Sequence, residues 1–276
     1  MSRLVLRRPN QRAGEGPTAI VTPESAGWSY VGFEVYELRR GDGVRQSTGA
    51  REVCVVVLGG QADIAAGSNS WRDVGSRPDV FEGPPDAVYA PPGQPLEITA
   101  SSDRCEVALC WAPATKGFEA RLMPASGVTP FKRGSGRTER TIHNILMEDR
   151  LAESLLVTEV LTPGGNWSSY PPHKHDTDDP PNETYLEETY YHRMARPNGF
   201  AVQLVYTDDR SLDEAIQVRD GDVVLVPRGY HPVAAGPGYD LYYLNVMAGP
   251  RRQWLVTNDP DHRWQLDRTG RKRSGA

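Results

Sequence analysis

The stretch VRDGDVVLVPRGYH, residues 218–231, decides how the rest of the chain is read. A polar turn at 219–222 introduces the apolar run 223–226, and Pro227-Arg228-Gly229 ends it just before His231. Short apolar runs bracketed by Gly and Pro read as strands. The same pattern recurs upstream in YVGFEVYEL, EVCVVVLGG, AVYAPPG, LEITA and CEVALCWAP. Closer to the stretch lie AESLLVTEVLTP, YLEETYYHRM and GFAVQLVYTDD, and YDLYYLNVMAG follows it. With 27 glycines and 23 prolines as punctuation and almost no helical periodicity, the chain is predicted to be all-β, a sandwich or barrel. RTERTIHNILMED reads as either a strand or a short helix.

A chain of 276 residues is long for one domain. Its halves share a pattern. Glu52 precedes a run ending at Gly59, with Pro91-Pro92-Gly93 later, while Glu188 precedes a Tyr-rich run, with Pro227-Arg228-Gly229 later. A degenerate repeat of one barrel unit accounts for both. The expected organisation is an N-terminal unit over 1–116, a linker over 117–150 and a C-terminal unit over 151–276.

A net charge of −5 argues against a nucleic-acid surface, which needs a concentrated basic footprint. The only basic cluster, 268–273, reads as a frayed terminus. No segment reaches the roughly 18 apolar residues of a membrane span. The opening MSRLVLRRPNQRAGEGP lacks the apolar core of a secretory signal. Cys54, Cys105 and Cys110 sit in apolar runs without metal-type spacing and read as buried free thiols. A soluble cytoplasmic protein is the expectation.

The chemistry concentrates in the second half. His173 and His175 are two apart, so on a strand both imidazoles point to one face. Glu183, Glu187 and Glu188 follow, and His231 arrives from beyond a strand and a turn. Imidazole and carboxylate together suit one divalent ion, Zn, Mn, Fe, Co or Ni. An open catalytic site fits better than a structural one, which usually takes cysteines.

His-x-His, a downstream Glu, and Gly221 to Pro227-x-Gly229 with His231 close behind resemble the two cupin motifs. The resemblance implies two cupin-type barrels, a bicupin, with the C-terminal one binding metal through His173, His175, His231 and Glu188. Glu187 would face the other side of its strand. Twelve residues separate His175 from Glu188, more than the family pattern, which keeps Glu183 as a second-choice ligand. Counting back from Glu52 puts Arg45 and Ser47 where histidines belong, and Gln94-Pro95 follows Gly93. The N-terminal barrel is thus expected to lack metal and to serve packing or assembly, which admits a homo-oligomer.

The segments VTPESAGWSYVGFEVYEL, GNWSSYPPHKHD, LEETYYHRM, VYTDDRSLDEA and VRDGDVVLVPRGYHPV resemble the 5-deoxy-glucuronate isomerases of myo-inositol catabolism, over nearly the whole chain. That resemblance implies conversion of 5-deoxy-D-glucuronate to 2-deoxy-5-keto-D-gluconate. A metal chelated by the carbonyl and its neighbouring hydroxyl would stabilise the enediolate. A base must reach the carbon proton, and Glu183 or a metal-bound hydroxide are the candidates. Arg193 or Arg228 would meet the substrate carboxylate, and Gln203, Tyr190 and Tyr242 would line the pocket. His143 and His262 read as structural. Rival readings are a metal-dependent cupin oxygenase, a related uronate isomerase of pectin breakdown, and a non-catalytic sugar-binding bicupin.

Overall fold

The computed structural model describes residues 2–10 and 12–268, so the basic cluster beyond Arg268 lies outside the described residues. Two large antiparallel sheets dominate. One has six strands in the order Arg121–Met123, Ala87–Ala90, Arg51–Gly59, Cys105–Pro113, Gly32–Leu38, Pro17–Val21. The other has seven, in the order Val5–Leu6, Val223–Val226, Glu187–Met194, Leu241–Ala248, Leu156–Thr162, Arg140–Leu146, Phe131–Arg133. Each curls against its own four-stranded sheet. The N-terminal partner is Gly43–Ser47, Pro95–Ala100, Ala62–Ala66, Asn69–Val74, and the C-terminal one is Trp167–Ser168, Val233–Ala235, Ala201–Tyr206, Asp213–Val218. Strand order therefore repeats between the halves. Among the described residues no helix is long and apolar enough to cross a membrane.

The repeat corrects the alignment read from sequence. Glu52 lies opposite Ala112, as Glu187 lies opposite Ala248. The counterpart of Glu52 is thus Glu187, and that of Glu188 is Val53. Val53 points into a barrel interior filled by Val55, Val57, Ile64, Leu96, Leu109 and Trp111. This barrel has apolar packing where the other has chemistry.

The outer faces of the large sheets pack on each other. Phe33, Val35, Val56, Tyr89 and Ala108 of the first meet Ile145, Val157, Tyr191, Tyr242 and Leu244 of the second, all fully buried. Burying each large side chain contributes about 1.5–3 kcal/mol. Two glutamates clamp this interface reciprocally. Glu187 accepts from the backbone amides of Ser29, Tyr30 and Val31 at 2.8, 2.8 and 2.9 Å. Glu52 accepts from those of Glu153, Ser154 and Leu155 at 2.9, 2.6 and 2.7 Å. Arg77 crosses as well, bonding both oxygens of the buried Glu159 at 2.8 and 2.9 Å. His143 bonds the same carboxylate, which makes it part of the interface.

The expected linker is not one. Arg121–Met123 completes the first large sheet, and Phe131–Arg133 and Arg140–Leu146 extend the second. Val5–Leu6, placed by sequence in the N-terminal unit, pairs with Val223–Val226 of the C-terminal sheet. These strands are short or flanked by charges, and Val5–Leu6 has its partner far along the chain. All three cysteines are free and buried.

Candidate functional site

Val223–Val226 is apolar throughout because both its faces are covered. Val223 and Leu225 face the core between the barrels, and Val224 and Val226 the core within. Gly229 follows at φ 87°, where a Cβ would lie 2.3 Å from the Tyr206 carbonyl oxygen, so only glycine fits. The turn delivers His231, whose Nδ1 donates to the Gly229 carbonyl at 2.8 Å. His173–Lys174 pairs with Thr257–Asn258, which carries His175 inward. His175 Nδ1 donates to the Leu186 carbonyl at 3.0 Å.

The long gap between His175 and Glu188 is absorbed by a self-stitched loop. Glu183 Oε1 accepts from the backbone amides of Asp176 and Thr177 at 2.7 and 2.8 Å. Glu183 therefore holds the loop and does not line the cavity, which corrects its assignment as a base.

Because both Nδ1 atoms donate to carbonyls, each Nε2 presents a lone pair. His175 Nε2 and His231 Nε2 lie 3.0 and 3.2 Å from the same oxygen of Glu188. The three ligand atoms fall within 4.8 Å of one another, all on buried residues. Lone pairs facing a carboxylate oxygen repel unless a proton or cation sits among them. His231 Nε2 makes no hydrogen bond. The donor set fits a divalent metal ion. His173 stands beside this group, its ring centroid 4.9 Å from that of His231 and 6.4 Å from that of His175.

A cavity of about 150 Å³ opens onto Glu188 and His173. Its wall is one face of the seven-stranded sheet, set by register. Tyr190 lies opposite Asn245, Asn245 opposite Thr158, Thr158 opposite Asn144, and Arg140 opposite Arg133. Ser169, at φ 49°, holds its hydroxyl 2.9 Å from the Tyr190 hydroxyl and 3.4 Å from that of Tyr243. A non-glycine residue in this region is strained, as functional sites often are. The cavity shares Arg133, Arg140, His173 and Trp254 with an outer hollow of about 610 Å³. Tyr170, ring-packed on Trp167 at 5.5 Å, lines that hollow.

Of the substrate-binding residues expected from sequence, Tyr190 lines the cavity and the others do not. Tyr242 faces the first barrel and donates to Glu159 at 2.8 Å. Arg193 shares that face and pairs with Glu106 and Asp220. Arg228 is exposed, 3.4 Å from the Ser211 hydroxyl. Gln203 is buried away from the cavity, its amide oxygen 2.9 Å from His192 Nε2. In their place stand Tyr243, Asn245, Arg140, Arg133, Ser169 and Glu148. The alternation Arg140, Ile142, Asn144 inside RTIHN is the one sequence trace of that wall.

The pattern of the KduI/IolB family matches residues 4–265. The chain belongs to the KduI/IolB family. Among KduI/IolB relatives, the 5-deoxy-glucuronate isomerase of Geobacillus kaustophilus (strain HTA426) is 55% identical over 270 residues, 97% of this chain and 96% of that protein. A crystal structure of an IolB-like protein from Salmonella typhimurium LT2 superposes with a TM-score of 0.92 at 45% identity, covering 95% of this chain and 99% of that one. The oxalate decarboxylase of Lactobacillus farciminis shares only the fold, with a TM-score of 0.67 at 14% identity over 97% of this chain and 91% of that one. The KduI/IolB chain is a bicupin.

Proposed function

We propose that this KduI/IolB protein is a metal-dependent aldose–ketose isomerase converting 5-deoxy-D-glucuronate to 2-deoxy-5-keto-D-gluconate in inositol breakdown. The observation that carries the reading is the cluster of His175, Glu188 and His231 on a cavity, in a chain 55% identical to a protein of that name. His173 joins the ligand set from the cavity side.

A divalent ion held there supplies Lewis acidity to a carbonyl oxygen and its neighbouring hydroxyl. The chain's own residues do the rest. The Tyr190 and Tyr243 hydroxyls, fixed through Ser169, hydrogen-bond the sugar from the sheet side. Glu188 is committed to the cluster, so Glu148 is the cavity carboxylate that takes the proton beside the carbonyl and returns it to the former carbonyl carbon, while the hydroxyl proton passes to the former carbonyl oxygen. Its carboxylate is aimed by the Trp254 amide, 2.7 Å away. The apolar wall of Ile142, Val160 and Met247 limits water around the enediolate.

An oxygenase would use similar ligands, so oxygen separates the readings. Metal-loaded protein should convert 5-deoxy-glucuronate to an isomer of equal carbon count at the same rate under argon and air. A requirement for oxygen with cleavage of the carbon chain would overturn the isomerase reading.

A further inference from the structure

Arg133 and Arg140 lie directly opposite each other on the neighbouring strands Phe131–Arg133 and Arg140–Leu146. Both line the cavity and its outer hollow. Like charges placed across strands destabilise a sheet unless opposite charge lies between them. The nearby carboxylates are engaged elsewhere: Glu139 with Lys132 at 2.8 Å, Glu148 with the Trp254 amide at 2.7 Å, and Glu188 with the histidines. Among the described residues, no ion pair includes Arg133 or Arg140.

Arg140 is the sharper case. It is only 6% exposed, and its guanidinium donates to the Thr138 carbonyl at 2.9 Å. The sheltered arginines Arg77 and Arg193 both have carboxylate partners. Burial, and then the charge of Arg133, draw the Arg140 pKa down. A buried cation without a counter-charge is costly, and this one lines the cavity onto which Glu188 and His173 also open. Arg133 lies over the Trp254 ring at 5.4 Å, and Trp254 meets the His173 ring edge-on at 5.9 Å, which joins the cationic corner to the ligand group.

We propose that Arg140, assisted by Arg133, is the carboxylate subsite of this cavity, holding the acid end of a short sugar acid while the aldehyde end lies at the metal cluster. A guanidinium fork matches a carboxylate bidentately. The counter-charge missing from the protein is the one the substrate brings. Neutral sugars of the same length leave the cation unpaired and are rejected for that reason. The inference rests on the isomerase reading for the identity of the sugar, and on geometry for the charge.

The test uses metal-loaded protein and two probes that cannot isomerise. One is 5-deoxy-glucuronate with its aldehyde reduced to a primary alcohol, and the other is the same molecule with a primary alcohol replacing the carboxylate. By titration calorimetry, wild type should bind the acid about 100-fold tighter than the neutral probe. Arg140→Gln should bind both alike, and Arg140→Lys, which keeps charge without the fork, should fall between. The unliganded Arg140→Gln protein should melt no lower than wild type, since it loses an unpaired buried cation. Acid preference retained in Arg140→Gln overturns the subsite, and so does a large drop in its melting temperature. Arg140-dependent acid binding without any turnover of the aldehyde would remove the isomerase reading and leave the subsite standing. Turnover with Arg140-independent binding would do the reverse.

Discussion

Glu187 and Glu188 are neighbours on one strand with opposite duties, so exchanging each for alanine separates fold from chemistry. The Glu187 carboxylate is 1% exposed and accepts from three successive amides of the first barrel. Val31 is fully buried, so its amide finds no replacement partner. An unsatisfied buried donor costs about 1–3 kcal/mol. Tyr30 and Ser29 lie nearer solvent and lose less, so Glu187→Ala should destabilise the protein by roughly 3 kcal/mol. Glu188→Ala removes a carboxylate whose partners are two imidazole lone pairs. In metal-free protein it should change stability by less than about 1 kcal/mol. Urea unfolding of metal-free samples, followed by circular dichroism, measures both without the stabilisation that metal adds. Elemental analysis after reconstitution should find metal in Glu187→Ala and none in Glu188→Ala. Equal stability losses in the two variants, or metal retained by Glu188→Ala, would refute the division of roles.

Two further outcomes follow from the same geometry. Glu148→Gln should lower kcat by at least about 100-fold while metal content stays at the wild-type level, as steady-state kinetics with elemental analysis would show. Turnover within a fewfold of wild type would remove Glu148 as the base. Burial holds the His192 imidazole down at about 3, whereas in the unfolded chain it titrates near 6.5. Between those values the unfolded state binds the extra proton, so stability falls as pH drops below about 6.5 and this contribution is flat above it. From pH 7 to pH 5 His192 should account for roughly 2 kcal/mol of lost stability. Urea titrations at both pH values should show that loss shrinking by this amount in His192→Gln, and an unchanged loss would contradict the burial argument.

The proposed ligand set can be read from the sequence because it depends on two local rules. His173 and His175 share a face by strand parity, and a strand, a glycine turn and His231 follow in fixed order. Parity also separates Glu187 from Glu188. The same rule, carried six residues on from Glu187, puts Arg193 with it on the outer face, so its exclusion from the cavity was available in the sequence. Tyr242 and Tyr243 were not separable in this way. Leu241–Ala248 is buried at every position, so no polar alternation marks which tyrosine faces the cavity. Arg140 was hidden for another reason. Its strand is flanked by charges, and Phe131–Arg133 beside it is exposed at every position, so the segment reads as a linker until its pairing with Leu156–Thr162 is known. Glu183 was misplaced because the loop closed by its carboxylate depends on amides at 176 and 177, which spacing does not reveal.

The central claim is that the His175–Glu188–His231 group and its metal perform the isomerisation. The most direct measurement follows the aldehyde proton of 5-deoxy-glucuronate by NMR, without oxygen, in the presence of metal-reconstituted wild type, chelated wild type or reconstituted His175→Ala. The account predicts loss of the signal with reconstituted wild type alone, with the ketose appearing in equal amount. Conversion by His175→Ala or by chelated protein, or no conversion by reconstituted wild type, would contradict it.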